Sequence, residues 1–179
     1  GFAAVHVRSG DAASARLLKL SGDGDYANAR GVQSTSYLGL YPRAEMTFSD
    51  PDLPVGIELH AFSPLIPRDV ANSSLPVAFL DFTLSNPGSQ EAEVAVALSF
   101  ENLLGFGGRR DVSWDAVEGN RQSPAKVDPW SGLLFTTTQT YDDLRQNTVG
   151  TYFLGAESGE KVSVTCCRDW DPAAGSIPF

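Results

Sequence analysis

At 179 residues with 42% hydrophobic content, the chain is long enough to bury a real core, and one domain over residues 1–179 is the expectation. A net charge of −9, with the basic pair Arg109-Arg110 followed at once by Asp111, argues against nucleic acid or any other polyanion as a partner, because phosphate contacts need clustered cations. No apolar run approaches the roughly 20 residues that cross a bilayer, and the opening GFAAVHVRSG lacks the layout of a signal peptide, so a soluble chain without a transmembrane segment is expected.

Taken in chain order, the pattern is period 2 rather than 3.6. Strands are predicted over residues 2–8, 16–20 and 45–48. In VGIELHAF, Val55, Ile57, Leu59 and Ala61 share one face. Then comes AFSPLIPRDVANSSLPVAFLDF, in which Pro64, Pro67 and Pro76 stiffen a connection between two apolar runs. Residues 76–85 and the stretch EVAVALSFEN read as two strands joined in a hairpin through Asn86-Pro87-Gly88, whose proline fixes φ and whose glycine permits φ > 0. In the second of these, Val94, Val96, Leu98 and Phe100 point one way. Residues 118–129 are polar and read as a loop. Strands follow over residues 133–138 and 149–154, and KVSVTCC aligns Val162, Val164 and Cys166 on one face. TYDDLRQN alone has room for a helical turn. Without alternating strand–helix units, the economical architecture is all-β: an antiparallel two-sheet β-sandwich with very little helix.

Spacing supplies no self-contained active site. His6 and His60 lie mid-strand, far apart, without the converging ligands that zinc requires, so they read as surface or boundary residues. Asp23 and Asp25 around Gly24 lack the distal glutamate of a calcium loop, and GFGGRR lacks the Gly-Lys-Ser/Thr of a phosphate cradle. No metal and no cofactor are expected. Cys166 and Cys167 are adjacent, which disfavours an ordinary disulfide between them. Along a strand one thiol would face the core, and a reducing, cytoplasmic location is favoured. Asp81 interrupts the apolar VAFLDFTL and is expected to pair with an arginine or to cap backbone donors at the sheet rim. Trp114, Trp130 and Trp170 fall in or beside loops, where aromatic rings stack on sugars or plug the ends of a sandwich.

A further set of residues carries a resemblance. Tyr41-Pro42-Arg43-Ala44, Phe62-Ser63-Pro64 with Ile66-Pro67, Ser73-Ser74-Leu75-Pro76, Asn86-Pro87-Gly88, Ser99-Phe100-Glu101-Asn102 and Asp169-Trp170-Asp171-Pro172 occur in this order. Together they resemble the N-terminal domain of the non-lysosomal glucosylceramidases, the bile-acid β-glucosidase type of glycoside hydrolase family 116. The Ser-Pro-x-Ile-Pro and Ser-Ser-Leu-Pro pair is the most specific mark. Glu45 departs from the aromatic residue that the family usually places after Pro-Arg-Ala.

The resemblance implies an accessory domain that docks on and frames a C-terminal (α/α)6 catalytic domain of a retaining β-glucosidase or glucosylceramidase. Its glutamate nucleophile and aspartate acid/base would lie beyond Phe179, so this chain would be a fragment ending before the last strands of its own domain, with no catalytic residue and no activity alone. Pro64, Leu65, Ile66 and Pro67 are the expected interdomain contact. A β-glucoside or glucosylceramide-like molecule is the expected substrate of the parent, and an exposed strand edge left by truncation would permit a homodimer. Two rival readings stay open. An independent carbohydrate-binding module needs two or three of Trp114, Trp130, Trp170 and Tyr141 to form one exposed platform. A self-sufficient glycosidase needs two inward carboxylates about 5 to 9.5 Å apart in a cleft.

Overall fold

A computed structural model describes residues 1–22, 29–105, 118–140, 149–168, 177 and 179. By its contacts the chain divides into two compact units, one of Phe2–Ser99 with Pro172–Phe179 and one of Phe100–Asp171 with Gly1.

The larger unit contains β1 (Phe2–Ser9), β2 (Ala12–Leu20), β3 (Gly31–Val32), β4 (Ser34–Leu40), β5 (Arg43–Ser49), β6 (Gly56–Phe62), the helical turn α1 (Val70–Ser73), β7 (Phe79–Ser85) and β8 (Glu93–Ser99). They form two four-stranded sheets, in the orders β3-β2-β1-β8 and β4-β5-β6-β7. All pairings are antiparallel except β2 with β3. The core is built by alternation. Val5, Val7, Leu18 and Val32 from the first sheet meet Phe48 and Ile57 from the second, with Leu53 and Val55 supplied by the β5–β6 connection. Met46, Leu59 and Phe82 pack around them. Each fully buried aliphatic side chain of this kind stabilises the fold by about 1.5–3 kcal/mol. β1 is covered on both faces, since Ala4 and Leu17 form a second cluster beneath Phe2, Ala97 and Ile177.

An ion cluster fastens β2 to the β5–β6 connection. Arg16 Nε lies 3.1 Å from Asp50 Oδ2, and Arg16 Nη2 lies 3.0 Å from Asp52 Oδ2. Arg30 reaches the same two carboxylates. Asp50 also accepts from the Asp52 amide at 3.0 Å, which shapes the Asp-Pro-Asp turn.

The smaller unit carries β9 (Asn120–Val127), β10 (Trp130–Thr137) and β11 (Thr151–Glu157), an antiparallel sheet in the order β11-β10-β9. Phe135 is buried and stacks on its register partner Tyr152, with centroids 4.4 Å apart. Gly132 is required where it stands, because a Cβ there would come within 2.0 Å of the Leu154 carbonyl oxygen. Asn102 ties the segment before the sheet to it. Its Nδ2 donates to the carbonyls of Arg121 (3.1 Å) and Thr136 (3.2 Å), while its Oδ1 accepts from the Leu104 amide (3.2 Å).

The all-β, antiparallel-rich sandwich expected from the sequence is the observed fold class, with the two-sheet arrangement confined to the larger unit and a third sheet in the smaller one. Four local expectations need correction. Residues 76–85 and 93–99 do not form a hairpin: β7 pairs with β6 and β8 with β1, so Asn86-Pro87-Gly88 turns a crossover between sheets. The turn is closed by the Asn86 side chain, with the Gly88 amide donating to Asn86 Oδ1 at 3.0 Å, while Gly88 itself does not take a positive φ. The polar stretch at 118–129 is mostly strand β9, where Pro124 is tolerated on a sheet edge. The stretch 161–167 is not a strand; it has one isolated bridge, Gly159 to Val162, and both Cys166 and Cys167 are exposed. β4 was not expected. The helical turn proposed for TYDDLRQN falls on residues 141–148, outside the described residues, whereas α1 sits inside the proline-rich connection.

Candidate functional site

The connection between β6 and β7 is held in shape by its own hydrogen bonds. The Asp69 amide donates to the Ile66 carbonyl at 3.0 Å, closing a turn in which Pro67 occupies the second position and Arg68, at φ +68°, the third. This is the type II pattern, which usually places glycine or asparagine where Arg68 stands. An L side chain there crowds its own carbonyl and costs about 1–2 kcal/mol. Asp69 then caps α1: Oδ1 accepts from the Asn72 amide at 3.0 Å and Oδ2 from Asn72 Nδ2 at 2.6 Å. The Asn72 backbone bond, followed by the Asn72 side-chain bond, holds the Asp69 carboxyl below its ordinary pKa. Ser73 Oγ clamps Ile66 from both sides, accepting from its amide at 2.9 Å and donating to its carbonyl at 3.1 Å. A tight bond from the Val77 amide to the Leu75 carbonyl, 2.8 Å, wraps Pro76.

The apolar side chains of this rigid segment face solvent. Leu65 is 49% exposed, Ile66 47%, Leu75 51% and Val70 77%. Pro64 is half-buried and Pro67 exposed. The two ends of the segment are pinned by Phe62 and Phe79, register partners whose rings stack at 5.1 Å. Register continues the same row across the sheet: Phe79, Phe62, Arg43 and Leu40 lie side by side on β7, β6, β5 and β4. Leu40 and Tyr41 are also largely exposed. Two sequence marks far apart in the chain, Tyr41-Pro42-Arg43-Ala44 and Phe62-Ser63-Pro64, therefore meet at one end of one sheet.

Among the described residues the remaining candidates are not brought together at one place. Asp81 has, among the described residues, neither an arginine nor a backbone donor to cap; it is exposed on the edge strand β7, opposite His60. The expected pairing fails because this edge strand is open to water: its apolar neighbours Leu80 and Leu84 are themselves exposed. His6 is half-buried, 5.2 Å from the ring of Phe179. Trp130 opens β10, half-buried, while Trp114, Trp170 and Tyr141 lie outside the described residues. Among the described residues no group of three His, Cys, Asp or Glu side chains is placed to hold a metal, and no helix is long and apolar enough to cross a membrane.

Residues 2–177 match the family model described as beta-glucosidase 2, glycosyl-hydrolase family 116 N-term. The chain belongs to the N-terminal domain family of glycosyl-hydrolase family 116. The family 116 match spans both units and so covers every mark noted in the sequence. Several of those marks have local structural work in this family 116 domain. Ser73 clamps Ile66, Pro76 sits in the tight turn, Asn86 closes the crossover and Asn102 anchors β9 and β10. Sequence reading located the proline segment but missed β4 and the Leu38 to Tyr41 surface, whose only signal is an uncharged, leucine- and tyrosine-bearing run beside a proline.

Proposed function

We propose that this chain is the accessory domain that docks on and frames the catalytic domain of a family 116 glycoside hydrolase, with both units acting as one domain. The observation that carries the reading is the preorganised apolar segment: Leu65 and Ile66 stay half-exposed on a backbone fixed by Ser73, Asp69 and two prolines. Protein interfaces gain from such rigidity, because little freedom is lost on binding. The contact then comprises Pro64, Leu65, Ile66 and Pro67, widened by Leu40 and Tyr41 at the same sheet end.

Under this reading the parent enzyme acts on a β-glucoside or glucosylceramide-like substrate, and catalysis belongs to its catalytic domain. A cytoplasmic location is part of the proposal, supported by the two exposed free thiols Cys166 and Cys167. Self-association through an open strand edge is a secondary part.

The test is made in the full-length enzyme. Leu65→Asp and Ile66→Asp place charge on the docking surface, and they are expected to lower thermal stability and to speed hydrogen exchange over residues 63–78. The isolated chain is expected to leave an aryl β-glucoside intact. Unchanged stability and exchange in both variants, or hydrolysis by the isolated chain, overturns the reading.

A further inference from the structure

We infer that Arg68 is the charged anchor of this surface, and that it pairs with a carboxylate of the catalytic domain. The inference rests on the docking reading above and adds its chemistry. Arg68 is the one non-glycine residue with positive φ among the described residues. The Ile66 to Asp69 turn would be formed more comfortably with glycine at that position, so the fold by itself gives no reason for an arginine. What the arginine supplies is its side chain. Pro67 on one side and the Asp69 cap on the other fix the stem from which it projects.

The surroundings define the ligand. Between Ser63 and Leu80 the charged residues are Arg68 and Asp69 alone. The Asp69 carboxylate is already engaged by the amide and side chain of Asn72, and no acidic group among the described residues pairs with the Arg68 guanidinium. An exposed cation thus shares one shallow surface concavity with the exposed Leu65, Ile66 and Val70. An arginine beside apolar side chains that exclude water once covered is a common composition for an interface hot spot. A planar guanidinium matches a carboxylate with two parallel hydrogen bonds. Within residues 63–80 Arg68 is the single cation, and one guanidinium suits a single carboxylate better than a phosphate, which is generally met by several donors.

Arg68→Gly separates the two roles of the residue, because it relieves the turn while removing the charge. In the full-length enzyme Arg68→Gly and Arg68→Glu are expected to lower the melting temperature by several degrees, with the larger loss for the glutamate. Arg68→Lys is expected to recover part of it, and the deficit is expected to shrink at high salt. Leu65→Asp runs alongside. Loss of stability in both Leu65→Asp and Arg68→Gly, with the salt effect confined to Arg68 variants, supports the anchor. Loss in Leu65→Asp with no loss or a gain in Arg68→Gly leaves docking standing and overturns the anchor. No loss in either overturns both. A loss in Arg68→Gly that neither lysine nor salt alters assigns Arg68 to the turn and also overturns the anchor.

Discussion

Arg16 and Asp50 meet at 3.1 Å inside the larger unit, with the Asp50 side chain wholly shielded from solvent. A buried pair of this kind is asymmetric in its energetics. Removing one partner strands the other charge and costs about 3–5 kcal/mol, whereas replacing both with apolar residues of similar volume is often neutral. Asp50→Asn is therefore expected to destabilise the chain by about 3 kcal/mol, with Asp52 retaining part of the hold on Arg16. Arg16→Met combined with Asp50→Leu is expected to recover most of the loss. Denaturant unfolding checks both, and a double variant no better than Asp50→Asn would count against the ion-pair account.

The same carboxylate sets an acid limit. Burial alone pushes the Asp50 pKa up, but the Arg16 hydrogen bond, the Asp52 amide and the charges of Arg16 and Arg30 outweigh it, and the net shift is downward. A carboxyl lowered in the folded state contributes stability that is complete above its unfolded pKa, about 3.9, and is lost as pH falls through the folded value. Stability from this group is expected to stay level from neutral pH down to about 4 and to fall below that. Asp50→Asn should flatten the acid limb. Identical acid limbs in the two proteins would show that other groups govern it.

Asn102 makes a prediction for the smaller unit. Its side chain bridges Arg121 and Thr136, which are register partners on β9 and β10, and its own carbonyl accepts from Asn120 Nδ2 at 3.2 Å. Asn102→Ala removes three side-chain hydrogen bonds and is expected to cost about 2–3 kcal/mol, given the penalty of roughly 1–3 kcal/mol for a stranded buried polar group. Faster amide exchange in β9 and β10 is the readout. Exchange unchanged from the parent chain would reduce Asn102 to a surface contact.

β4 is an edge strand without charge or proline, and Tyr37 (68%) and Leu38 (60%) are exposed on its opposite faces. Such an edge templates another strand. A two-fold antiparallel pairing centred on Tyr37 sets Ser34 against Leu40 and Ser36 against Leu38, with no charge in the new ladder. The isolated chain is expected to dimerise with rising concentration, and Leu38→Lys to return it to the monomer. Light scattering that reports one monomer mass throughout the series rules this out.

Where a strand is half-buried, its side chains announce it. β6 was legible because Ile57 is buried while Glu58 and His60 face water, and β8 because Val94 packs on the core and Val96 is half-buried while Ala95 and Ala97 between them are small. β4 was not, because both its faces are exposed and no polarity contrast arises. β9 was hidden by the same absence, compounded by Pro124. At 161–167 the reverse holds: KVSVTCC alternates well enough, but among the described residues no strand pairs with it. The proline-rich segment was found through its prolines, whereas the positive φ of Arg68 was invisible, since no neighbour in sequence requires it.

β8 closes the first sheet by pairing with β1, from Phe2 opposite Ser99 to Arg8 opposite Glu93, and the last two side chains form an ion pair across 85 positions of chain. On the ribosome the two strands therefore emerge far apart in time. At roughly 5–20 residues per second, β1 waits on the order of ten seconds for its neighbour, although β2 arrives almost at once. During that wait β1 shows its bare hydrogen-bonding edge to whatever chaperone or nascent chain is near, even after Phe48 and Ile57 have arrived to cover Val5 and Val7.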